Sequence, residues 1–212
     1  VRIPFGGGIG SPEHHSESPE SYFVHTSGLR VVACSTAEDA YWMIQQAIAC
    51  DDPVIFFEPK RRYHDRLEFD TGRAEAPRGL FDAHIVRPGT DCTVVAYGPT
   101  VRTCLEAGVA AAEEGTSLEV IDLRGLSPLP MDAIYDSVCR TGRLVVVHEA
   151  PSVLGLGAEI AALVHSECFY ELEAPVIRVA GANIPYPPSR VEEHFLPDID
   201  RILDGVDRAL SY

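Results

Sequence analysis

Apolar runs of strand length alternate along the chain with stretches of helical periodicity, and this alternation constrains the fold more than any other feature. Beyond residue 90, each apolar run is followed by a stretch whose apolar residues recur on one helical face. We predict strands at Thr93–Tyr97, Leu118–Asp122, Leu144–His148 and Val176–Ala180. The predicted helices are Thr100–Glu114, Met131–Thr141, Ala158–Glu167 and Ile199–Leu210. Strands that alternate with helices favour an α/β fold with a mostly parallel sheet covered on both faces.

The front part of the chain carries one β-α-β unit. Predicted strands at Leu29–Ala33 and Val54–Phe57 flank a predicted helix at Ala37–Cys50, whose N-cap is Ser35 or Thr36. Both strands are so apolar that each of their faces needs cover, and two strands do not make a stable parallel sheet alone. We therefore expect strands upstream of the first residue, or another chain, to complete this part of the fold.

Two segments show neither the apolar runs of strands nor the periodicity of helices. Residues 1–27 are rich in Gly, Pro, Ser and His and predict a loop with one helical turn after Ser18. Residues 60–87 are charged and irregular, and we predict that they form an extended connection between two domains, with or without a hairpin.

Charge and cysteine usage exclude several classes of protein. The chain has 17 Lys+Arg against 32 Asp+Glu, a net charge of −15, which disfavours a nucleic-acid partner. No apolar run approaches the roughly 20 residues that span a bilayer, so we expect a soluble protein without a membrane partner. The six cysteines form no CxxC pair and several lie in apolar runs. We expect them to be reduced core residues of a cytosolic protein.

Two glycine motifs resemble nucleotide-binding loops without matching them. The run from Gly6 to Gly10 is followed by Ser11 and fails the GxGxxG spacing, so we expect its backbone to pass close to another surface. Gly155 and Gly157 follow a predicted strand, but Ile160 stands where a third small residue is needed. A tightly packed turn is the favoured interpretation. Nucleotide binding there remains an alternative that titration with NAD decides.

Histidines next to carboxylates are the remaining candidates for chemistry. In extended chain His14 and His15 point to opposite sides, so they do not predict a shared metal site. Such a loop histidine can donate a hydrogen bond or a proton to an anionic substrate. From the spacing alone, two solvated side chains are the favoured explanation. His148 and Glu149 end a strand at the carboxyl edge, where we expect them to support a site rather than react.

Several blocks of residues together carry more information than any one motif. They are Val1–Gly10, His15–Glu20, Pro53–Lys60, Val120–Arg124, Thr141–Leu144 and Gly157–Ile160. With these blocks the chain resembles the β subunit of the thiamine-diphosphate-dependent 2-oxo acid dehydrogenases along nearly all 212 residues. The blocks similar to the branched-chain type are Phe56–Lys60, His148–Pro151, Glu167–Phe169 and Leu172–Pro175.

The resemblance implies a transketolase-like architecture. Residues 1–66 are then the C-terminal part of the pyrimidine-binding domain, residues 67–78 a connection, and residues 79–212 the transketolase C-terminal domain. The glutamate with which the family activates its cofactor belongs upstream of Val1. We therefore expect the isolated chain to be inactive.

The same resemblance assigns residue roles. His15 matches the family's active-site histidine, which contacts the substrate carboxylate or the acyl intermediate during transfer to lipoyl. His14 stands where an aromatic residue is common. The backbone carbonyls of Ala47, Cys50 and Asp52 match a structural potassium site, with Cys50 in place of the usual Asp.

Cofactors and partners follow from the family as well. Thiamine diphosphate and its magnesium are expected to be held mainly by an α subunit, in an α2β2 heterotetramer. The C-terminal domain, near Tyr212, is expected to dock the basic binding domain of the dihydrolipoyl acyltransferase core. The expected location is the bacterial cytoplasm, or the mitochondrial matrix of a eukaryote.

The resulting hypothesis is the β subunit of a branched-chain 2-oxo acid dehydrogenase, an oxidoreductase of branched-chain amino acid catabolism. It catalyses oxidative decarboxylation of a 2-oxo acid and acyl transfer to lipoyl. The alternatives are a pyruvate or acetoin dehydrogenase β subunit and, in another class, a non-catalytic assembly module that binds the acyltransferase core.

Overall fold

The computed structural model describes all 212 residues, in which nine strands and six α-helices form two sheets with their covering layers. The strands are β1 Arg2–Phe5, β2 Arg30–Ala33, β3 Val54–Pro59, β4 His84–Arg87, β5 Cys92–Ala96, β6 Leu118–Asp122, β7 Gly125–Ser127, β8 Leu144–Pro151 and β9 Ile177–Gly181. The helices are α1 Glu20–Val24, α2 Ala37–Ala49, α3 Thr100–Glu113, α4 Met131–Thr141, α5 Leu156–Glu167 and α6 Ile199–Leu210. Single 3₁₀ turns occupy Glu13–His15, Lys60–Arg62 and Glu192–His194.

The C-terminal sheet has the order β4-β6-β5-β8-β9, and every pair in it is parallel except β4–β6. Residues of α3 and α6 bury against one face, and residues of α4 and α5 against the other. All strands and helices predicted beyond residue 90 are present, with some ends shifted by one to three residues. The predicted α/β sheet covered on both faces is confirmed for this half of the molecule.

The front sheet has the order β1-β3-β2-β7, with β1 and β2 both parallel to β3. Two of its strands were not predicted. β1 contains Pro4 and is followed directly by glycines, and β7 is only three residues long and pairs antiparallel with β2. Two strands added to the β-α-β unit thus come from within this chain, one at each edge of the sheet. Further strands from upstream or from another chain stay a prediction.

Three smaller predictions can be compared with the structure. The helical turn after Ser18 is confirmed as α1. The N-cap of α2 is Thr36, whose side-chain oxygen accepts the amide of Asp39 at 3.1 Å. The segment 60–87 is not wholly an extended connection, because β4 pairs with the edge of the C-terminal sheet.

The largest buried cluster lies between the two sheets and joins them. It combines Phe5, Val31 and Phe57 of the front sheet with the face of the C-terminal sheet that contains Tyr97 and Ile121. The opposite face of the front sheet is covered by α2 and by Leu80 and Phe81, which precede β4. Each half of the chain therefore contributes to one common core.

The remaining general predictions concern cysteines and membranes. All six cysteines are free thiols, as expected. Four are buried and Cys50 is half-buried, but Cys139 is exposed, so the prediction of a core residue was wrong there. The sulfur atoms of Cys139 and Cys168 are 4.0 Å apart. None of the helices combines the length and the apolar character that crossing a bilayer requires.

Candidate active site at the loop of residues 6–19

The loop that contains His15 begins where β1 ends, at the carboxyl edge of the front sheet. Phe5 is paired with Pro59, so the loop starts beside the turn Lys60–Arg62 that follows β3. Gly6, Gly8 and Gly10 have φ values of 86°, 77° and 69°. Side chains rarely adopt this conformation, which explains the glycines at these positions.

The glycine run is held by carboxylates of the C-terminal half of the chain. The amide of Gly7 donates to Glu149 Oε2 at 3.0 Å. The amides of Gly8 and Gly10 donate to the two oxygens of Glu192 at 3.1 and 2.8 Å. The expectation that these glycines bring the backbone close to another surface is confirmed. Because the amides already bind carboxylates of the same chain, they do not form an open phosphate cradle.

His148 and Glu149 are both buried at the end of β8, and both have intramolecular partners. Burial lowers the pKa of His148 to about 4, so the ring is neutral at pH 7. Its Nδ1–H donates to the Ala150 carbonyl at 3.0 Å, and its Nε2 accepts the Gly157 amide at 3.2 Å. Burial raises the pKa of Glu149, and the Arg61 guanidinium, 2.7 Å from Oε1, opposes that rise. Glu149 holds the loop, and His148 holds the turn that begins α5. That they support a site rather than react stays a prediction.

The glycines after β8 pack against the His148 ring. A Cβ atom built on Gly155 would lie 2.7 Å from Cε1 of that ring, and one on Gly157 would lie 2.7 Å from Nε2. The amide at the start of α5 is already bound to the imidazole. The interpretation of this motif as a tight strand-to-helix turn is confirmed, and the Gly157 amide is taken by the imidazole.

His15 lies exposed at the end of its 3₁₀ turn. Its ring centroid is 4.2 Å from that of His14, so the prediction that the two rings point to opposite sides was wrong, because the segment is a turn and not an extended chain. Lys60 Nζ donates to the carbonyl oxygen of His15. The next residue, Ser16, is buried and its hydroxyl donates to the Ser11 carbonyl at 3.1 Å.

The three carbonyls expected to bind potassium lie together in sequence where α2 ends. Ala47 belongs to the last turn, Cys50 is the C-cap residue and Asp52 follows it. None of the three carbonyl oxygens accepts a hydrogen bond. The carboxylate of Asp52 binds Arg30 Nε at 2.7 Å. Free carbonyl oxygens are the kind of ligand that a hard cation prefers, so these residues fit such an ion.

Sequence reasoning missed a buried carboxyl near the loop. Glu20 begins α1 and is 1% exposed, and neither of its side-chain oxygens has a hydrogen-bond partner. Burial, with a smaller contribution from the nearby Glu149, raises its pKa to about 8. The buried Tyr97 hydroxyl is its other ionisable neighbour. The only signal in the sequence was the position of Glu20 at the first residue of a short helix.

A second buried polar group joins the two halves. Arg124 Nε binds Asp39 Oδ1 at 2.9 Å, and the Arg124 amide donates to Asp122 Oδ1 at 3.1 Å. The Ser35 hydroxyl donates to Asp122 and contacts Asp39 at 3.1 Å. Burial and the neighbouring Asp39 raise the pKa of Asp122 to about 7.

Comparisons with known proteins agree with this architecture. The family model described as the transketolase C-terminal domain matches residues 82–202, and that of the transketolase pyrimidine-binding domain matches residues 1–65. A solved split-gene transketolase, described as an inactive β4 tetramer, superposes with a TM-score of 0.77 at 21% identity. The match covers 99% of this chain and 65% of the transketolase chain. The predicted transketolase-like fold is confirmed.

Curated relatives extend the comparison to sequence. The chain is 57% identical to the pyruvate dehydrogenase E1 component subunit beta of Leifsonia xyli subsp. xyli, over all of this chain and 62% of the relative. It is 56% identical to the 3-methyl-2-oxobutanoate dehydrogenase subunit beta of Mycobacterium tuberculosis, over 99% and 60%. It is 40% identical to the mitochondrial 2-oxoisovalerate dehydrogenase subunit beta of Dictyostelium discoideum, over 100% and 57%. The chain thus spans about 60% of the length of these relatives.

Proposed function

This chain belongs to the transketolase family, and we propose that it acts in the β subunit of a 2-oxo acid dehydrogenase that decarboxylates a branched-chain 2-oxo acid and passes the acyl group to lipoyl. The observation that carries the proposal is the position of His15, exposed on a loop that the rest of the chain holds at the carboxyl edge of the front sheet. The identity of more than half of all residues to two dehydrogenase β subunits supports it.

His15 is the proposed catalytic residue. Its imidazole is free of side-chain hydrogen bonds and faces outward, so it can donate a hydrogen bond to the carboxylate of a 2-oxo acid. A hydrogen bond donated to an ionised carboxylate is shorter and stronger than a neutral one, and it fixes the orientation of the substrate. The bond from Lys60 to the His15 carbonyl fixes the backbone from which the ring extends.

Thiamine diphosphate is the proposed cofactor, and when bound it supplies the nucleophilic carbon that the decarboxylation of a 2-oxo acid requires. His15 is proposed to lie at its reacting end. The glycine amides that could cradle a diphosphate already bind Glu149 and Glu192. The diphosphate and its magnesium are therefore assigned to the α subunit. Potassium is proposed at the carbonyls of Ala47, Cys50 and Asp52.

We further propose the assembly and the location. An α subunit pairs with this one in an α2β2 heterotetramer, and the acyltransferase core binds at the C-terminal domain. The net charge of the whole chain, −15, favours a basic partner. Residues 1–66 and 79–212 form the two domains, joined by residues 67–78. The enzyme works in the bacterial cytoplasm or, in a eukaryote, in the mitochondrial matrix.

Substrate turnover tests the branched-chain assignment. The β subunit of the relatives' full length, carrying this sequence, is assembled with its α subunit and assayed with an artificial electron acceptor. We expect a higher kcat/KM for 2-oxoisovalerate than for pyruvate. A preference for pyruvate would refute the branched-chain assignment and favour the second candidate, a pyruvate dehydrogenase β subunit, to which a relative at 57% identity points.

A pair of neighbouring substitutions tests the role of His15. In the assembled enzyme we expect His15→Asn to lower kcat/KM by about 100-fold or more, the range for loss of a group that acts in the transition state. His14→Asn is the matched control, because this ring is also exposed in the same turn. An equal loss in both variants would assign the effect to the turn and not to His15.

A further inference from the structure

We propose that Glu192, in the C-terminal half of the chain, is a positioning residue that sets the place of His15 through the glycine run. The inference rests on the proposed function of His15. Glu192 is 184 residues from Gly8 in sequence, yet its two oxygens bind two amides of the run, those of Gly8 and Gly10. One carboxylate thereby fixes two alternating peptide units of a backbone in the left-handed region.

The carboxylate is itself held in one orientation. Glu192 is 6% exposed and lies in a 3₁₀ turn whose next residues, Phe195 and Leu196, are also buried. The Tyr186 hydroxyl donates to Glu192 Oε2 at 2.7 Å, and the Tyr186 ring packs edge-on against Phe195 at 5.1 Å. The same hydroxyl accepts the Gly8 amide at 3.1 Å. Charged acceptors form the stronger kind of hydrogen bond with amides, so the run has a defined anchor.

The segment between the anchor and His15 has few other restraints. Residues 12–15 are exposed, and within the segment the bonds are those of one 3₁₀ turn and the Ser16 hydroxyl. Past Gly7, the contacts that tie residues 8–15 to the rest of the chain through hydrogen bonds are Glu192 and Tyr186 at one end and Lys60 at the other. Loss of one end therefore releases the backbone that carries the imidazole.

The run lies tightly against the surface beneath it at Gly7 and Gly8, whereas Gly10 has open space around it. A Cβ atom on Gly7 would collide with the Tyr186 hydroxyl, and one on Gly8 would lie 3.1 Å from the Arg61 side chain. The glycines thus allow close approach, and the carboxylate supplies the attraction that keeps the run there.

The test compares Glu192→Ala, Glu192→Gln and the control Glu193→Ala in the assembled enzyme. Glu193 is the exposed neighbour in the same turn and makes no hydrogen bond or ion pair. Two readouts are taken: hydrogen exchange of the peptide covering residues 8–16, and kcat and KM for the 2-oxo acid. A misplaced catalytic group costs about 10- to 100-fold in rate.

We expect Glu192→Ala to raise exchange in residues 8–16 at least about tenfold, without change in β9 or α6, and to lower kcat by about 10- to 100-fold. Glu192→Gln retains one acceptor oxygen and should restore part of kcat, and Glu193→Ala should match the wild type. If Glu192→Ala leaves exchange in residues 8–16 unchanged, or raises exchange but leaves kcat unchanged, the positioning role is overturned. If the wild-type enzyme decarboxylates no 2-oxo acid, the proposed function fails, while the exchange data still decide whether Glu192 orders the loop.

Discussion

The front sheet and the C-terminal sheet bury their faces in different ways. The C-terminal sheet is covered by two helices of its own half on each face, α3 with α6 and α4 with α5. The front sheet has α2 on one face, and its other face packs into the core of the C-terminal half. The front sheet therefore depends for its stability on the junction, the buried core that it shares with the C-terminal sheet. The loop with His15 begins at the front sheet and depends on the same junction.

The polar groups buried in the two regions differ as well. The C-terminal sheet buries hydroxyls that satisfy one another, such as Thr93 with Ser137 at 2.6 Å and with Thr141 at 2.8 Å. The junction instead buries ionisable groups, among them Glu20, Glu149 and the pair Asp39–Arg124. Hydroxyl contacts do not change between pH 4 and 8, whereas carboxyls do. We therefore expect the loss of stability at rising pH, between about pH 5 and 8, to originate at the junction.

The largest expected effect comes from breaking the shared core. Phe57 is fully buried, and the rings of Phe5 and Phe23 contact it edge-on at 5.1 and 5.6 Å. Phe57→Ala should lower the free energy of unfolding by about 3 to 5 kcal/mol, measured by chemical denaturation. The control Ile48→Ala, at a side chain that is 78% exposed on α2, should change it by less than about 0.5 kcal/mol. A small effect of Phe57→Ala would mean that the front sheet does not depend on this core.

Substitution of Glu20 tests whether the ionisable groups of the junction set the pH dependence of stability. The unfolded carboxyl loses its proton near pH 4.5, while the folded one keeps it until about pH 8, so rising pH through this window favours the unfolded state. Glu20→Gln removes that penalty. Its free energy of unfolding should match the wild type near pH 4.5 and exceed it by about 4 kcal/mol at pH 7–8.

The matched control for this prediction is Glu17→Gln, at an exposed carboxyl of the same loop. It should leave the pH dependence of stability unchanged. A gap between Glu20→Gln and the wild type that does not grow with pH would show that Glu20 is ionised in the folded state.

The same comparison of regions explains how much of the fold could be predicted. Helices such as α4 and α6 and strands such as β5 were predicted because their apolar periodicity is local and strong. β1 and β7 are short, and their pairing with distant strands is what makes them strands. No local pattern encodes that pairing, and the front sheet contains most of these cases.

The candidate site shows the same limit. Resemblance to a family indicated His15, but the 3₁₀ turn that contains it was not predicted. The residues that hold the loop, Glu149 and Glu192, come from strand and turn segments more than 140 positions away. Their role arises from the packing of the two halves, which sequence patterns do not describe.

His148 should make the C-terminal half lose stability as pH falls, whereas Glu20 makes the junction lose stability as pH rises. Its ring lies in the C-terminal half, and burial lowers its pKa to about 4, whereas the unfolded ring gains a proton near pH 6.5. The stability contributed by the neutral ring is complete above pH 6.5 and is lost as pH falls toward 4, by about 3 kcal/mol in total. In ¹⁵N spectra of the histidine-labelled chain, we expect His148 to remain neutral, protonated at Nδ1, down to about pH 4. Titration of this ring near pH 6.5 would contradict the tautomer and its two hydrogen bonds.

The smallest expected effect comes from a substitution at the helix that covers the outer face of the front sheet, the face opposite the shared core. The Thr36 hydroxyl oxygen caps α2 by accepting the Asp39 amide, and α2 is the one helix that covers this face. Thr36→Ala should lower the free energy of unfolding by about 1 kcal/mol, whereas Thr71→Ala, at an exposed turn residue, should change it by less than about 0.5 kcal/mol. Hydrogen exchange should quicken in α2 and leave α3 and α6 unchanged, because those helices belong to the core of the other sheet. Equal acceleration in all three helices would show that the two regions open as one unit, and the distinction drawn between them would then hold for structure but not for stability.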